Sequence, residues 1–187
     1  MRAPEKEEVC EARLLKGRCR VERGIRVGER APYIGDLAAG SGREVSLRTC
    51  AGRRLVLIFH EQNTAWAAEQ VNRAVRERYP SPEEVVVASV VDLSLVPPVY
   101  WLTASVMIGQ AYEKATRQIA CEGPSGMDPA EYVLILQDWG GLICRRFNVR
   151  GVDQEAAVVV IDENADIAGF YQGREPVEAV LQMLEGG

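Results

Sequence analysis

The sequence predicts a three-layer α/β domain, a central mixed β-sheet flanked by helices. Three observations carry this. Short continuous apolar runs at Leu55–Phe59 (LVLIF), Val85–Val91 (VVVASVV), Tyr132–Leu136 (YVLIL) and Ala157–Ile161 (AVVVI) have the composition of strands covered on both faces. Segments with helical spacing of apolar residues lie between the first three runs, where parallel strands need crossover connections. Only Asp162-Glu163-Asn164-Ala165 separates the fourth run from a fifth strand at Asp166–Tyr171, so these two strands are antiparallel neighbours.

The elements follow in order. Residues 1–25 form an N-terminal arm with a weak helical pattern around Val9–Leu15, and 26–187 form the domain. The segments around Tyr33–Leu37 and Glu44–Leu47 pair as a short hairpin across the turn AAGSG. After LVLIF, Asn63 or Thr64 is placed to cap a helix, because their side-chain oxygens accept the free N–H groups of a first turn. Ala67, Val71, Ala74, Val75 and Arg78–Tyr79 make its inner face, and Asn72, Arg73, Arg76 and Glu77 its wet face. Tyr79-Pro80-Ser81-Pro82 stops it. The second strand ends at Asp92. Pro97 and Pro98 then open a long helix whose inner stripe reads as Tyr100, Ala104, Met107, Ile108, Ala111, Tyr112, Ala115 and Ile119. A loop follows at Cys121–Pro129, then the third strand, a turn at Asp138-Trp139-Gly140-Gly141 and a short element at Leu142–Phe147. After the last two strands, Pro176 starts a closing helix with Val177, Val180, Leu181 and Leu184 on one face and Gly186 at its end.

Composition bounds the function. The 187 residues suffice for one domain with its own core, and 47% hydrophobic with 26% charged residues is ordinary for a globular chain. A net charge of −5 with no clustered basic face excludes nucleic acid as the expected partner. Residues 1–30 carry nine Lys/Arg against six Asp/Glu, a balance of +3 that leaves −8 for the rest. The arm therefore reads as a solvated segment, or alternatively as one that docks on an acidic surface. No apolar run reaches the roughly 18 residues needed to cross a membrane, and MRAPEKEEVC lacks the apolar middle of a signal peptide, so the expected location is cytoplasmic. The cysteines are Cys10, Cys19, Cys50, Cys121 and Cys144. An odd count, wide spacing and the lack of any CxxC argue against a disulfide scaffold. His60 is the only histidine, no cluster has zinc-like spacing, and neither metal nor cofactor is expected. AGSGRE is not GxGxxG, does not follow a buried strand and lacks a P-loop lysine, which disfavours a nucleotide site.

Four stretches, in this order and spacing, resemble the thioredoxin-fold superfamily and, within it, the peroxiredoxin-like branch (alkyl hydroperoxide reductase, thiol-specific antioxidant or redoxin). VGERAPYIGDL resembles the family's opening, and REVSLRTCAGRRLVLIF its approach to the central strand. YVLILQDWGGLICRRFNV resembles the strand, Asp turn and short helix that this branch inserts and plain thioredoxin lacks. AVVVIDENADIAGFYQGREPVEAVLQML resembles the closing hairpin and helix. The match spans roughly residues 26–185. It implies a thioredoxin-like fold with a peroxiredoxin-like insertion. By analogy it also implies a homodimer. The chemistry it implies is a thiolate on the first helical turn after the central strand, stabilised by the helix N-terminus and partnered by Arg or cis-Pro.

The residues for that chemistry are missing. Phe59–Gln70 contains no cysteine, and a thioredoxin-style alignment puts Thr64 and Ala67 at the two cysteine positions. Gln154-Glu155-Ala156 stands where the family has cis-Pro or Arg before the AVVVI strand. Thr64 is no substitute, because an alcohol is far less acidic than a thiol and nothing evident activates it. Two expectations follow. The first is a degenerate thioredoxin-fold protein that works by binding a protein partner or a small anion at a turn bordered by His60, Gln62, Asn63, Thr64, Trp66, Ala67 and Ala156, where a helix N-terminus offers free N–H groups. The second is a thiol oxidoreductase or peroxidase using a relocated cysteine. For this the candidates are Cys50, followed by Arg53 and Arg54, and Cys144, followed by Arg145 and Arg146, since adjacent cations depress a thiol pKa. Cys10 and Cys19 are a candidate redox pair on the arm. Against each thiol stands its plain role as a small apolar side chain.

Overall fold

In a computed structural model of the chain, which describes residues 25–122 and 128–186, the predicted α/β sandwich is present. A two-stranded hairpin, β1 (Gly35–Leu37) and β2 (Glu44–Ser46), precedes the main sheet. The main sheet consists of β3 (Arg54–His60), β4 (Val85–Asp92), β5 (Leu134–Asp138), β6 (Ala157–Ile161) and β7 (Ile167–Gln172), in the spatial order β5-β4-β3-β6-β7. β3, β4 and β5 are parallel, while β6 and β7 run antiparallel, as the short Asp162–Ala165 turn requires. The helices are α1 (Ala65–Arg78), α2 (Trp101–Glu122), α3 (Pro129–Tyr132), α4 (Leu142–Arg146) and α5 (Pro176–Glu185).

The period-2 alternation of the strands divides the core in two. Leu55, Leu57 and Phe59 of β3 point to one face with Val86, Ala88 and Val90 of β4. There they meet Ile143, Cys144 and Phe147 of α4 and the hairpin residues Ile34, Ala38 and Val45. The Phe59 and Phe147 rings pack tilted, 5.4 Å between centroids. Val56 and Ile58 point to the other face, against Ala68, Val71 and Val75 of α1 and Val180 and Leu184 of α5. Each outer strand of the sheet is met at one point by another segment of the chain, which shortens its open edge. Ala39 of the hairpin loop donates to Ile135 O at 2.7 Å on the β5 side. On the β7 side, Gly28 and Glu29 exchange hydrogen bonds of 2.8 Å with Ile167. The hairpin loop needs Gly40. Its φ is +79°, and a Cβ there would stand 2.3 Å from the Tyr112 ring of α2.

Three expectations change. The third strand starts at Leu134 instead of Tyr132, because Asp128 accepts from Ala130 N at 3.0 Å and Pro129 opens a helical turn that ends on Tyr132. Arg76, read as wet, is mostly buried. Its guanidinium donates to Val85 O at 2.8 Å and lies 4.9 Å over the Tyr132 ring, and burial pushes its pKa down to about 10. The inner stripe of α2 is buried only at Ile108. Ala104, Tyr112, Ala115 and Ile119 are half-buried, and Tyr100, Met107 and Ala111 are exposed. The reason is location: α2 crosses from β4 to the edge strand β5 and packs chiefly on the short α3 and its own leading turn.

Candidate functional site at the end of β3

β3 delivers the chain into a 3-10 turn, Gln62–Thr64, and then into α1. The arrangement follows from the local sequence. Thr64 accepts a hydrogen bond from Glu61 N at 3.1 Å across the turn, and Asn63 Nδ2 donates to Glu61 Oε1 at 3.2 Å. Neither side chain caps α1 as the sequence suggested: Thr64 sits at the N-cap position, but its hydroxyl is drawn elsewhere. It donates to Val152 O at 2.6 Å, which ties the turn to the loop before β6. Thr64 is buried and Ala67 fully so, and the two positions that align with reactive thiols therefore face protein rather than solvent. Ala156 is buried too, its carbonyl accepting from Gly173 N at 3.3 Å.

His60 is buried at the end of β3, and its Nδ1 lies 3.1 Å from Glu61 O, an acceptor only, so the ring carries its proton on Nδ1. Burial lowers its pKa, and this outweighs the Glu61 carbonyl and the Glu69 charge, which both act to raise it. His60 is thus a neutral packed side chain. Gln62, Asn63 and Trp66 are the exposed members of the turn. The sequence reading missed the carboxylates around it. Burial first, then the charges of Asp153 and Asp92, raise the pKa of Glu61. The local field is acidic, the reverse of the cationic surroundings that stabilise a thiolate. Asp92 ends β4 beside β3 and Asp153 precedes β6, and their convergence is a product of sheet order that no local signal marks.

The described thiols are placed as follows. Cys50 is buried in the turn between β2 and β3, its N–H donating to Ser46 O at 3.0 Å. Burial pushes its pKa up despite the neighbouring Thr49 hydroxyl and the Arg53 charge. Arg53 is itself engaged with Pro82 O at 3.2 Å and with Thr49 O. Cys144 is buried in α4, its N–H donating to Asp138 Oδ2 at 2.8 Å. Burial, then the charges of Asp92 and Asp138, push its thiol far above the ordinary range. Arg145 and Arg146 do not counter this as their adjacency suggested. Arg145 donates to Gly140 O, and Arg146 to Tyr33 O at 3.2 Å with its guanidinium over the Tyr33 ring. Cys121, at the end of α2, is the exposed thiol among the described residues. Cys10 and Cys19 lie outside the described residues. Among the described residues no group of three or more His, Cys, Asp and Glu side chains is placed to hold a metal ion.

β4 ends next to this turn and runs into the loop before α2. From Leu93 to Tyr112 the chain has no charged residue. Leu95 (84% exposed), Val99 (79%), Leu102 (78%) and Tyr100 (58%) form an open apolar surface that continues along α2 through Val106 and Met107. The start of the helix is held in place by Trp101, whose ring packs on Trp139 at 5.5 Å and whose Nε1 donates to Val96 O at 3.0 Å. Among the described residues no helix is long and apolar enough to cross a membrane.

No family model and no curated protein matches the chain. Solved structures do. A candidate thiol:disulfide interchange protein DsbE from Chlorobium tepidum matches with a TM-score of 0.58 at 17% identity, over 87% of this chain and 98% of that one. The exposed lipoprotein thioredoxin Etrx1 of Streptococcus pneumoniae matches with 0.58 at 16% identity, over 83% and 99%. A thioredoxin-like protein from Aeropyrum pernix matches with 0.50 at 17% identity, over 96% and 97%. Likeness at this level of identity is a likeness of architecture, and with the strand order and helix placement described above it establishes that the chain adopts the thioredoxin fold.

Proposed function

We propose that this is a thioredoxin-fold protein that has given up thiol chemistry at the turn after β3 and works by binding a protein partner, with the uncharged surface from Leu95 to Met107 as its binding face. The observation that carries this reading is the contrast at one end of the sheet. The turn where the fold's chemistry would sit has no thiol, and Thr64 and Ala67 are closed off, while the neighbouring surface leaves seven large apolar side chains exposed. Apolar patches of this kind mark interaction surfaces on soluble proteins. A protein partner suits the site better than a small anion, because Glu61, Asp92 and Asp153 surround the turn with negative charge. As part of the same proposal, the chain belongs to the peroxiredoxin-like branch, supported by the β5–Asp138 turn–α4 unit. It resides in the cytoplasm, the compartment that the unpaired thiols Cys50, Cys121 and Cys144 suit.

Kinetic mapping of the thiols tests the loss of chemistry. The reduced full chain is treated with stoichiometric hydrogen peroxide and a sulfenic-acid trap, and adducts are located by mass spectrometry. The expected result is that none of the five cysteines reacts faster than free cysteine, since the thiolate is the nucleophile and burial holds Cys50 and Cys144 protonated. Fast, selective modification of either would overturn the reading in favour of a peroxidase with a displaced thiol.

A further inference from the structure

We propose that the basic run Arg13–Arg23 of this chain docks in the groove between α1 and α5. The proposal does not rest on the α2 face. Lys114 of α2 reaches Glu69 of α1 at 4.0 Å, whereas the groove is lined by the next residue, Gln70, so the two surfaces lie on different sides of α1. Charge, apolar match and reach each support this occupant.

The first support is charge. In the run, Arg13, Lys16, Arg18, Arg20 and Arg23 stand against Glu22 alone, within a chain whose net charge is −5. The groove, open and about 670 Å³ in volume, has the opposite sign: Glu175, Glu178 and Glu185 line it against Arg174. Arg174 is drawn to Glu155 at 3.9 Å, and Glu185 to Arg78 at 3.3 Å. Among the described residues no cation forms an ion pair with Glu175 or Glu178. Complementary charge of this kind selects an occupant and sets its register.

The second is apolar match. Val177 and Leu181, one turn apart on α5, line the groove half-buried. The run carries Leu14, Leu15 and Val21 among its cations, so it brings apolar surface to apolar surface as well as charge to charge.

The third is reach. The described chain begins at Ile25, which packs against the core, and Gly28 donates to Ile167 O at 2.8 Å at the start of β7. The end of α5 lies at this same end of the sheet, because Arg54 holds both Glu163 of the turn before β7, at 3.5 Å, and Leu184 O, at 2.7 Å. Gly24 alone separates the run from Ile25. A helix of the size of α5 is about 15 Å long, and the extended run spans up to about 36 Å, so it reaches along the whole groove. Tethering holds the run at an effective concentration in the millimolar range. Contacts between exposed charges then suffice, where a free basic partner would need a tighter site.

Two measurements on the full chain test this. At about 1 µM, where a tethered contact persists and a modest one between separate chains does not, a zero-length carbodiimide joins lysine amines to carboxylates that touch them. The expected link runs from Lys16 to Glu175 or Glu178 within one chain. Trypsin cleavage after Arg13, Lys16, Arg18 and Arg20 reads how often the run leaves the groove. Glu175→Lys combined with Glu178→Lys, both at exposed positions, should speed that cleavage at least ~10-fold, because attraction becomes repulsion, while the thermal midpoint stays unchanged. A run cut equally fast in both proteins overturns the proposal. So do Lys16 links that fall chiefly on Glu61, Asp92 or Asp153, which assign the run to the turn after β3. Links that join isotopically distinct copies assign it to a second chain and overturn the proposal as well.

Discussion

The parallel strands β3 and β4 finish side by side, His60 paired with Val91, yet the chain leaves them in opposite ways. After β3 three polar side chains at the turn are engaged within the chain: Thr64 with Glu61 and Val152, Asn63 with Glu61, His60 with the Glu61 carbonyl. After β4 the loop and the first turns of α2 present exposed apolar side chains. Thioredoxin-fold proteins with thiol chemistry need the first exit open and reactive. Here the first is sealed and the second is open. The contrast shows that one fold can place a closed turn and an open apolar surface at adjacent strand ends.

The comparison can be broken in four places. The largest effect is expected at Phe59, fully buried at the base of the sealed exit and packed on Phe147. Phe59→Ala should cost about 3–5 kcal/mol, read as a lowered urea midpoint with an unchanged slope; a cost near zero would mean the turn is not anchored as described. Next is Thr64→Val. It keeps the shape but strands the buried Val152 carbonyl and Glu61 N–H, and should cost about 1–3 kcal/mol in the same titration.

A smaller effect concerns pH. His60 has an ordinary value of 6.5 that folding lowers, so below pH 6.5 the unfolded chain binds the proton more readily. Stability should therefore decline as pH falls from 6.5 toward the folded value. Glu61 acts with the opposite sign in a lower window: its folded value is raised above 4.5, so acidification toward 4.5 favours the fold. His60→Gln should flatten the slope just below pH 6.5 and leave the Glu61 contribution alone. An unchanged slope would show that His60 is not held neutral. The smallest effect is expected on the open side. Leu102→Ser, measured at a dilution where the chain is monomeric, should change stability by no more than about 0.5 kcal/mol, because Leu102 is 78% exposed. A cost of 2 kcal/mol or more, on the scale of a buried leucine, would mean the face is covered within the chain itself.

Much of this was legible in sequence because its causes are local. LVLIF, VVVASVV and AVVVI are strands because β-branched and aromatic residues bounded by turns suit a pleated surface covered on both sides. The missing thiol at Thr64 and Ala67 was legible for the same reason, as the turn lies at a set offset from its strand. Arg76 was misread because its helical period places it on the outer side of α1, and only the packing of Tyr132, 56 positions later, makes that side an interior. The α2 stripe was misread in the other direction. Its periodicity is real, but a helix at the edge of a sheet has too few neighbours to bury the whole stripe, and periodicity does not say how many neighbours there are.

The amino-acid sequence alone determined the element order, the mixed sheet and the lack of a cysteine in the turn after β3, since each is read from local sequence pattern. Only the tertiary structure decided the rest. It buried Cys50 and Cys144 and held their thiols protonated, drew Asp92 and Asp153 in beside Glu61, and turned the apolar start of α2 outward. These outcomes depend on desolvation and on charges brought together across β-strands distant in sequence, and such quantities do not exist until the sheet has assembled.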